Sequence, residues 1–199
     1  MNVLPETQFD LLRHGEPVGG SRYRGQRDDE LSAQGWEQMW AAVDAAPHWQ
    51  QIVTSPLRRC SAFAWSLGEN LGVPVHEEAR FREVGFGAWE GKTREELDRV
   101  MPGQIARFYA DPVNNRPPGA EPLVDFTARV RTGLDEMLEN FAGQSILVVA
   151  HAGVIRAILA YALGIPEAVM YRIKVRNAGI SRLRTSRERG FSFISHGNR

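Results

Sequence analysis

The sequence predicts an α/β fold: a three-layer α/β/α sandwich around a mostly parallel central sheet. Three observations carry that expectation. Short apolar runs alternate along the chain with longer stretches of helical period. The run Ile146-Leu147-Val148-Val149-Ala150 is apolar without interruption, as a strand buried on both faces must be. The hydrophobic fraction of 43% over 199 residues supplies a sizeable core for one domain, or for a core domain with a small cap.

The elements follow in order. A first strand is read over 9–12 and stops abruptly at Arg13-His14-Gly15. A polar, glycine-rich loop runs to Asp29, and Ser32 is placed to cap a helix reaching about Ala46. Ile52-Val53-Thr54 is a second strand. Ser55-Pro56 offers a cap followed by proline at the first helical position, so the next helix is expected to start there. It runs to Leu71, where Gly72 supplies the C-terminal stop. A third strand is expected over 73–76. Thr93-Arg94-Glu95-Glu96 has capping-box spacing and opens another helix. Arg116-Pro117-Pro118-Gly119 breaks the chain, and 121–141 is a long helix with Val124, Phe126, Val130, Leu134, Met137 and Leu138 on one broad face. The buried strand 146–150 leads to a helix over 153–163, and about three more strands are expected in the C-terminal third. The irregular region 85–120 is expected to form a lid or cap over the sheet.

Composition narrows the function. Lys plus Arg and Asp plus Glu both number 24, so there is no electrostatic case for bulk binding to nucleic acid or to a membrane surface. Cys60 is the one cysteine, which excludes an internal disulfide and suits a reducing compartment. The start, Met1-Asn2-Val3-Leu4-Pro5-Glu6, lacks the pattern of a signal peptide, and no run approaches the ~20 apolar residues of a membrane span. The expectation is a cytoplasmic protein with a small-molecule partner. Assembly as a homodimer is left open.

The placement of the histidines points to chemistry. Of five, His14 and His151 directly follow the two clearest strands, and Arg59 lies just beyond a third. In an open α/β sheet, ligands bind outside the carboxyl ends of strands. Three distant segments would thus deliver Arg13, His14, Arg59 and His151 to one pocket. Arginines match phosphoryl oxygens in bidentate fashion, and helix N-termini near 56 and 153 would add favourable dipole ends.

The motifs resemble a known family. Leu12-Arg13-His14-Gly15-Glu16 is similar to the signature of the histidine phosphatase superfamily, which includes the cofactor-dependent phosphoglycerate mutases. Five further segments resemble the family in its order: the stretch from Gly25 to Ser32 with Gly35; Ser55-Pro56-Leu57-Arg58-Arg59-Cys60; Phe81-Arg82-Glu83 with Gly87-Ala88-Trp89-Glu90-Gly91; Pro118-Gly119-Ala120-Glu121; and Val149-Ala150-His151-Ala152-Gly153. The resemblance covers nearly the whole chain. It implies a phosphoglycerate mutase-like fold and a phosphatase acting through phosphohistidine on His14. It makes Arg13, Arg59 and His151 ligands of the phosphoryl group and Glu83 the proton donor. It calls for no cofactor and no metal. Imidazole attacks phosphorus only when neutral, a state that Arg13 and Arg59 favour.

The sequence departs from the family at Pro17-Val18-Gly19-Gly20, where a polar stretch with a phosphate-touching asparagine is common. Backbone near Gly25, or Ser21, is expected to supply those contacts. Glu16, Glu77, Glu78 and Glu90 rival Glu83, and Arg58 rivals Arg59. Phe86 and Trp89 are read equally as pocket walls or core. His48, His76 and His196 match no motif and are read as surface residues. Two decoys fail by counting: Gly91-Lys92-Thr93 lacks the glycine that a nucleotide-binding loop needs at Phe86, and Cys60 has Ser66 where a cysteine phosphatase places arginine. Within the phosphatases the likeness extends to bacterial alpha-ribazole-phosphate phosphatases, through Arg24-Gly25, Gly35-Trp36 and Arg59-Cys60. A broad-specificity phosphatase and a phosphoglycerate mutase-type phosphotransferase are the alternatives.

Overall fold

A computed structural model describes residues 6–44, 49–186 and 188–197. The predicted central run becomes β4 (Ser145–Ala150), flanked by β1 (Thr7–Arg13) and β2 (Gln51–Thr54), with β3 (Val75–Glu77) beyond β2. These pairings are parallel. Two C-terminal strands, β5 (Ile180–Ser186) and β6 (Gly190–His196), extend the sheet antiparallel from β1, giving the order β3-β2-β4-β1-β5-β6.

Period-two alternation sends side chains to two cores. Leu12, Ile52, Leu147 and Val149 face α1 (Ala33–Val43) and α2 (Arg58–Leu71), where Met39, Phe63 and Leu67 are buried. Phe9, Leu11, Ile146 and Val148 face α5 (Leu123–Asn140) and α6 (Ala152–Leu163). The three-layer sandwich is therefore as predicted, with the sheet parallel except where β5 and β6 join. The region 85–120 holds a short 3₁₀ turn at Gly87–Trp89, then α3 (Arg94–Val100) and α4 (Gln104–Ala110). Its Phe86, Trp89, Leu97, Ile105 and Phe108 are buried in the α5–α6 core, so it is packed onto that core.

Several expected boundaries shift, each for a tertiary reason. Helix α2 begins at Arg58 rather than after Ser55, because the Ser55 hydroxyl is turned toward His151 and the Arg58 amide is capped from afar by Asp28 Oδ1 at 2.6 Å. Strand β3 starts at Val75, not 73, because the Val73 amide closes α2 onto the Gly68 carbonyl. Gly72, at φ +66°, makes the left-handed stop foreseen for it. Helix α5 starts at Leu123, and Val124 is exposed rather than on the buried face. The C-terminal third holds two strands and a 3₁₀ segment (Glu167–Arg172) in place of three strands. Ser32 caps α1 through Gly35 N, but the predicted end at Ala46 and His48 lie outside the described residues. The capping box Thr93–Glu96 is present at α3.

Candidate active site

Register decides where the site forms. Arg13 pairs with Ala150 across β1 and β4, and Thr54 pairs with Val149 across β2 and β4. The three strands therefore end level, and His14, Ser55 and His151 follow them directly. His14 N donates to Ala150 O and Ser55 N to Val149 O, both at 3.0 Å. The rings of His14 and His151 lie edge to face with centroids 5.2 Å apart. The loop after His14 is pressed onto α1 so closely that a Cβ at Gly15 would lie 2.2 Å from the Gly35 carbonyl oxygen. Only glycine permits that approach.

His14 is buried, and its Nδ1–H donates to the Gly15 carbonyl at 2.7 Å. That bond fixes the tautomer and leaves Nε2 with its lone pair. Burial, then Arg13 and Arg59, hold His14 well below the ordinary histidine range. His151 is likewise held neutral by burial, with Arg59 and His14 adding to the effect. Burial also lowers Arg13 to about 10, a value at which it remains a cation near neutral pH.

The two arginines are set up as rigid donors. Arg13 gives one terminal nitrogen to the Val175 carbonyl at 2.8 Å. Arg59, 1% exposed, gives one to Arg27 O at 2.6 Å and the other to Gly25 O at 2.9 Å. Among the described residues the buried Nε of each has no hydrogen-bond partner. An unsatisfied buried donor costs about 1–3 kcal/mol, and an anionic oxygen would satisfy both. Arg58, the rival, is exposed and pairs with Glu30 at 2.5 Å.

A cavity of about 350 Å³ is lined by Arg13, His14, Arg59, Glu83, Ser21 and Gly25, whereas His151, expected there from sequence, is fully buried against the His14 ring and off the wall. Glu83 is its one carboxylate. The Glu83 oxygens accept from Val84 N at 2.9 Å and from Gly153 N at 3.1 Å. One amide at each expected helix start is thus taken by a carboxylate: Gly153 N of α6 by Glu83, and Arg58 N of α2 by Asp28. A Cβ on Gly153 would fall 2.2 Å from Glu83 Oε1. Arg129 on α5 braces the strand-like segment from behind, donating to the carbonyls of Arg80, Arg82 and Glu83 while paired with Glu121 at 2.6 Å. Glu121 therefore orients that segment and is absent from the cavity wall. Three rivals are engaged elsewhere, Glu78 with Arg80, Glu90 with the amides of Gln26 and Phe86, and Glu77 with Trp65, and the fourth, Glu16, is absent from the cavity wall. Phe86 lines the cavity, whereas Trp89 is fully buried core.

Sequence reasoning assigned no role to Arg22, Arg24, Arg94, Arg156, Tyr23 or Tyr109, all of which line the cavity. With Arg13 and Arg59 the wall holds six arginines. Arg156 was traceable, since it follows Ala152 by four residues on α6 and shares its face. Arg24 sits inside a quoted motif, held by Asp29 at 3.1 Å and by the Val18 and Gly20 carbonyls. Arg94 and Tyr109 carried no local signal. His76 and His196 are exposed. Among the described residues no His, Cys, Asp and Glu cluster could hold a metal ion, and no helix is long and apolar enough to cross a membrane.

Known proteins are similar to this chain in sequence and fold. The chain is 32% identical over 180 residues to a bifunctional protein of Mycobacterium tuberculosis, covering 88% of this chain but 49% of that protein, about half its length. It is 38% identical over 168 residues to a glucosyl-3-phosphoglycerate phosphatase of Mycolicibacterium vanbaalenii, covering 78% of this chain and 74% of the relative. The solved structure of mycobacterial glucosyl-3-phosphoglycerate phosphatase with VO3 superposes with a TM-score of 0.85 at 31% identity, over 96% of this chain and 99% of that one. The alpha-ribazole phosphatase of Shigella flexneri shares the fold, with a TM-score of 0.82 at 23% identity over 96% of both chains. The family model for the histidine phosphatase superfamily, branch 1, matches residues 9–198, and the chain belongs to that family.

Proposed function

We propose that this protein is a phosphomonoester hydrolase that carries the phosphoryl group of a small metabolite on His14 Nε2. The observation that carries the reading is the His14–Gly15 hydrogen bond. It puts the ring proton on Nδ1 and leaves Nε2 unprotonated on the wall of a cavity shared with Arg13 and Arg59. In the first step Nε2 bonds to phosphorus as the ester P–O bond breaks. Arg13, Arg59 and His151 hold the phosphoryl oxygens, with Ser21 and the backbone at Gly25 beside them. Cationic positioning of this kind is the main device in phosphoryl transfer. The alkoxide takes a proton from the Glu83 carboxyl. In the second step water attacks phosphorus, Glu83 takes its proton, and the P–N bond returns its electrons to His14. No step draws on a cofactor, and a cytoplasmic setting suits the single free thiol, Cys60.

Among substrates, the relatives at 38% and 31% identity favour glucosyl-3-phosphoglycerate or a similar ester. Alpha-ribazole 5′-phosphate, suggested by the motifs around Gly35 and Cys60, is the second candidate. The test is His14→Ala assayed on an aryl phosphate. Phosphate release is expected to vanish with the circular dichroism melt retained, and acid-quenched wild-type enzyme is expected to hold base-stable label from labelled substrate. Full activity in the variant would overturn the mechanism.

A further inference from the structure

We propose that the His196 imidazole is a staple that keeps Arg13, Arg156 and His14 in position, by closing the loop between Lys174 and Ser181 on which all three lean. His196 thereby becomes a positioning residue for the chemistry proposed above, and its part rests on that reading for the task of Arg13.

Three successive carbonyls open the loop. Ile173 O accepts from Arg156 Nε at 2.8 Å, Lys174 O from His196 Nε2 at 2.6 Å, and Val175 O from a terminal nitrogen of Arg13 at 2.8 Å. Its other arm meets the backbone at the end of β1. Arg13 N donates to Gly179 O at 3.1 Å, and Ala178 N donates to His14 O at 3.3 Å. Two cavity arginines and His14 thus take their positions from one irregular segment, 173–179. The turn inside that segment is strained. Gly179 N closes it onto Arg176 O at 3.1 Å, which puts Ala178 third in the turn at φ +52°, where glycine is the usual residue. Among the described residues Ala178 is the one non-glycine with positive φ. Such a conformation persists only where surrounding contacts hold it.

His196 supplies that hold. Its ring spans the two ends of the loop, with Nε2 on Lys174 O and Nδ1 on the Ser181 hydroxyl, both at 2.6 Å. A carbonyl only accepts, so Nε2 carries a proton. The serine hydroxyl can donate to Nδ1 or accept from it, so the ring bonds both ends in either charge state. One end is fixed to the sheet: Ser181 is buried, and Ile180 and Ser181 pair with Leu12 and Leu11 of β1. Gly197 N donates to Ile180 O at 2.9 Å and anchors the end of β6 beside it. The Lys174 end lies on the surface, and Lys174 and His196 are both exposed. Truncating His196 therefore opens no buried cavity. It releases the Lys174 arm, whose neighbouring carbonyls orient Arg156 and Arg13.

The experiment compares wild type with His196→Ala, His196→Gln and Phe191→Ala. Phe191 sits on β6 against Phe9 and Tyr161, so its truncation loosens the same strand and leaves the staple in place. Each protein is measured for kcat/KM on an aryl phosphate, for the Kd of inorganic phosphate by titration calorimetry, and for stability in urea. His196→Ala is expected to lose about tenfold in kcat/KM and to bind phosphate correspondingly more weakly, the worth of one misdirected charge-assisted hydrogen bond. His196→Gln, whose amide carries both a donor and an acceptor, is expected to keep most of both. Phe191→Ala is expected to lose stability while holding wild-type kcat/KM and Kd. Unchanged kcat/KM and Kd in His196→Ala, or an equal loss in Phe191→Ala, would overturn the staple and leave the hydrolase standing. Wild type that binds phosphate but turns over no ester would remove the hydrolase reading, and the Kd series would still decide the staple. Wild type that does neither would remove both.

Discussion

The Ser55 hydroxyl lies 2.7 Å from Nε2 of His151, and both side chains are fully buried. Ser55 Oγ also accepts from the Leu57 amide at 3.3 Å. A hydroxyl can donate and accept at once, so Ser55 holds the His151 ring at Nε2 while it accepts from the Leu57 amide. A serine that reads as a helix cap is instead the residue that holds the second histidine in place. Ser55→Ala is expected to lower kcat roughly tenfold and stability by about 1–3 kcal/mol, since it strands two buried polar groups. Steady-state kinetics and urea denaturation measure the two effects. Unchanged kcat alongside lost stability would restrict Ser55 to a structural part.

The close approach of Gly153 to Glu83 makes a sharper test of the proton-donor role proposed for Glu83. Gly153→Ala would drive a Cβ into Glu83 Oε1. The carboxyl must then swing off the α6 amide. Loss of general acid catalysis is worth about 10²–10⁴-fold, so kcat is expected to fall by roughly 10² on an alkyl phosphate. The loss should be much smaller on an aryl phosphate with a good leaving group, which needs less proton transfer. Equal losses on both esters would count against Glu83 as the acid.

Acid should destabilise the fold before it protonates His14. His14 and His151 are both held well below the ordinary histidine value, first by burial and then by neighbouring arginines. Below about pH 6.5 the unfolded chain takes up protons at these positions that the folded chain refuses. Stability is therefore full above that pH and falls toward acid, by up to about 2.7 kcal/mol per pH unit for two such groups. Asp10, whose buried carboxyl is pushed above its ordinary value, is protonated more readily folded than unfolded and offsets part of the loss at the acid end. Urea titrations between pH 7.5 and 5 check this, and a flat profile would contradict it.

Chelation gives a further expectation. The chemistry assigned to His14, Arg13, Arg59 and Glu83 has no step for a divalent ion. EDTA is expected to leave kcat/KM unchanged. A large loss restored by added zinc or manganese would point to a metallohydrolase.

Much of this was legible in the sequence because it is local. The strand 146–150, the helix cap at Ser32 and the stop at Gly72 depend on neighbours a few residues away, and each stands where its pattern placed it. The level strand ends that bring His14 and His151 together follow from the parallel sheet. What was hidden depends on partners far along the chain. Ser55 and His151 are 96 positions apart, as are no two residues of a cap. The α6 N-terminus is engaged by Glu83 from 70 residues away, and Arg94 reads locally as helix start and nothing more. Val124 fits the apolar period of α5, yet lies beyond the edge of what that helix covers.

The level endings of β1, β2 and β4 also bear on how such a protein can change. Inserting one residue in β4 would carry His151 about 3.3 Å along the strand and invert which face each later side chain meets. Strand length is thereby frozen by the chemistry. Gly25 is tied to the floor through Arg59, but the 17–20 stretch of its loop and the 94–110 helices lie off the strand ends, so they can lengthen, shorten or exchange an arginine without shifting the sheet. Evolution of a new substrate range, or its redesign, has its freedom in those two segments and almost none in the sheet.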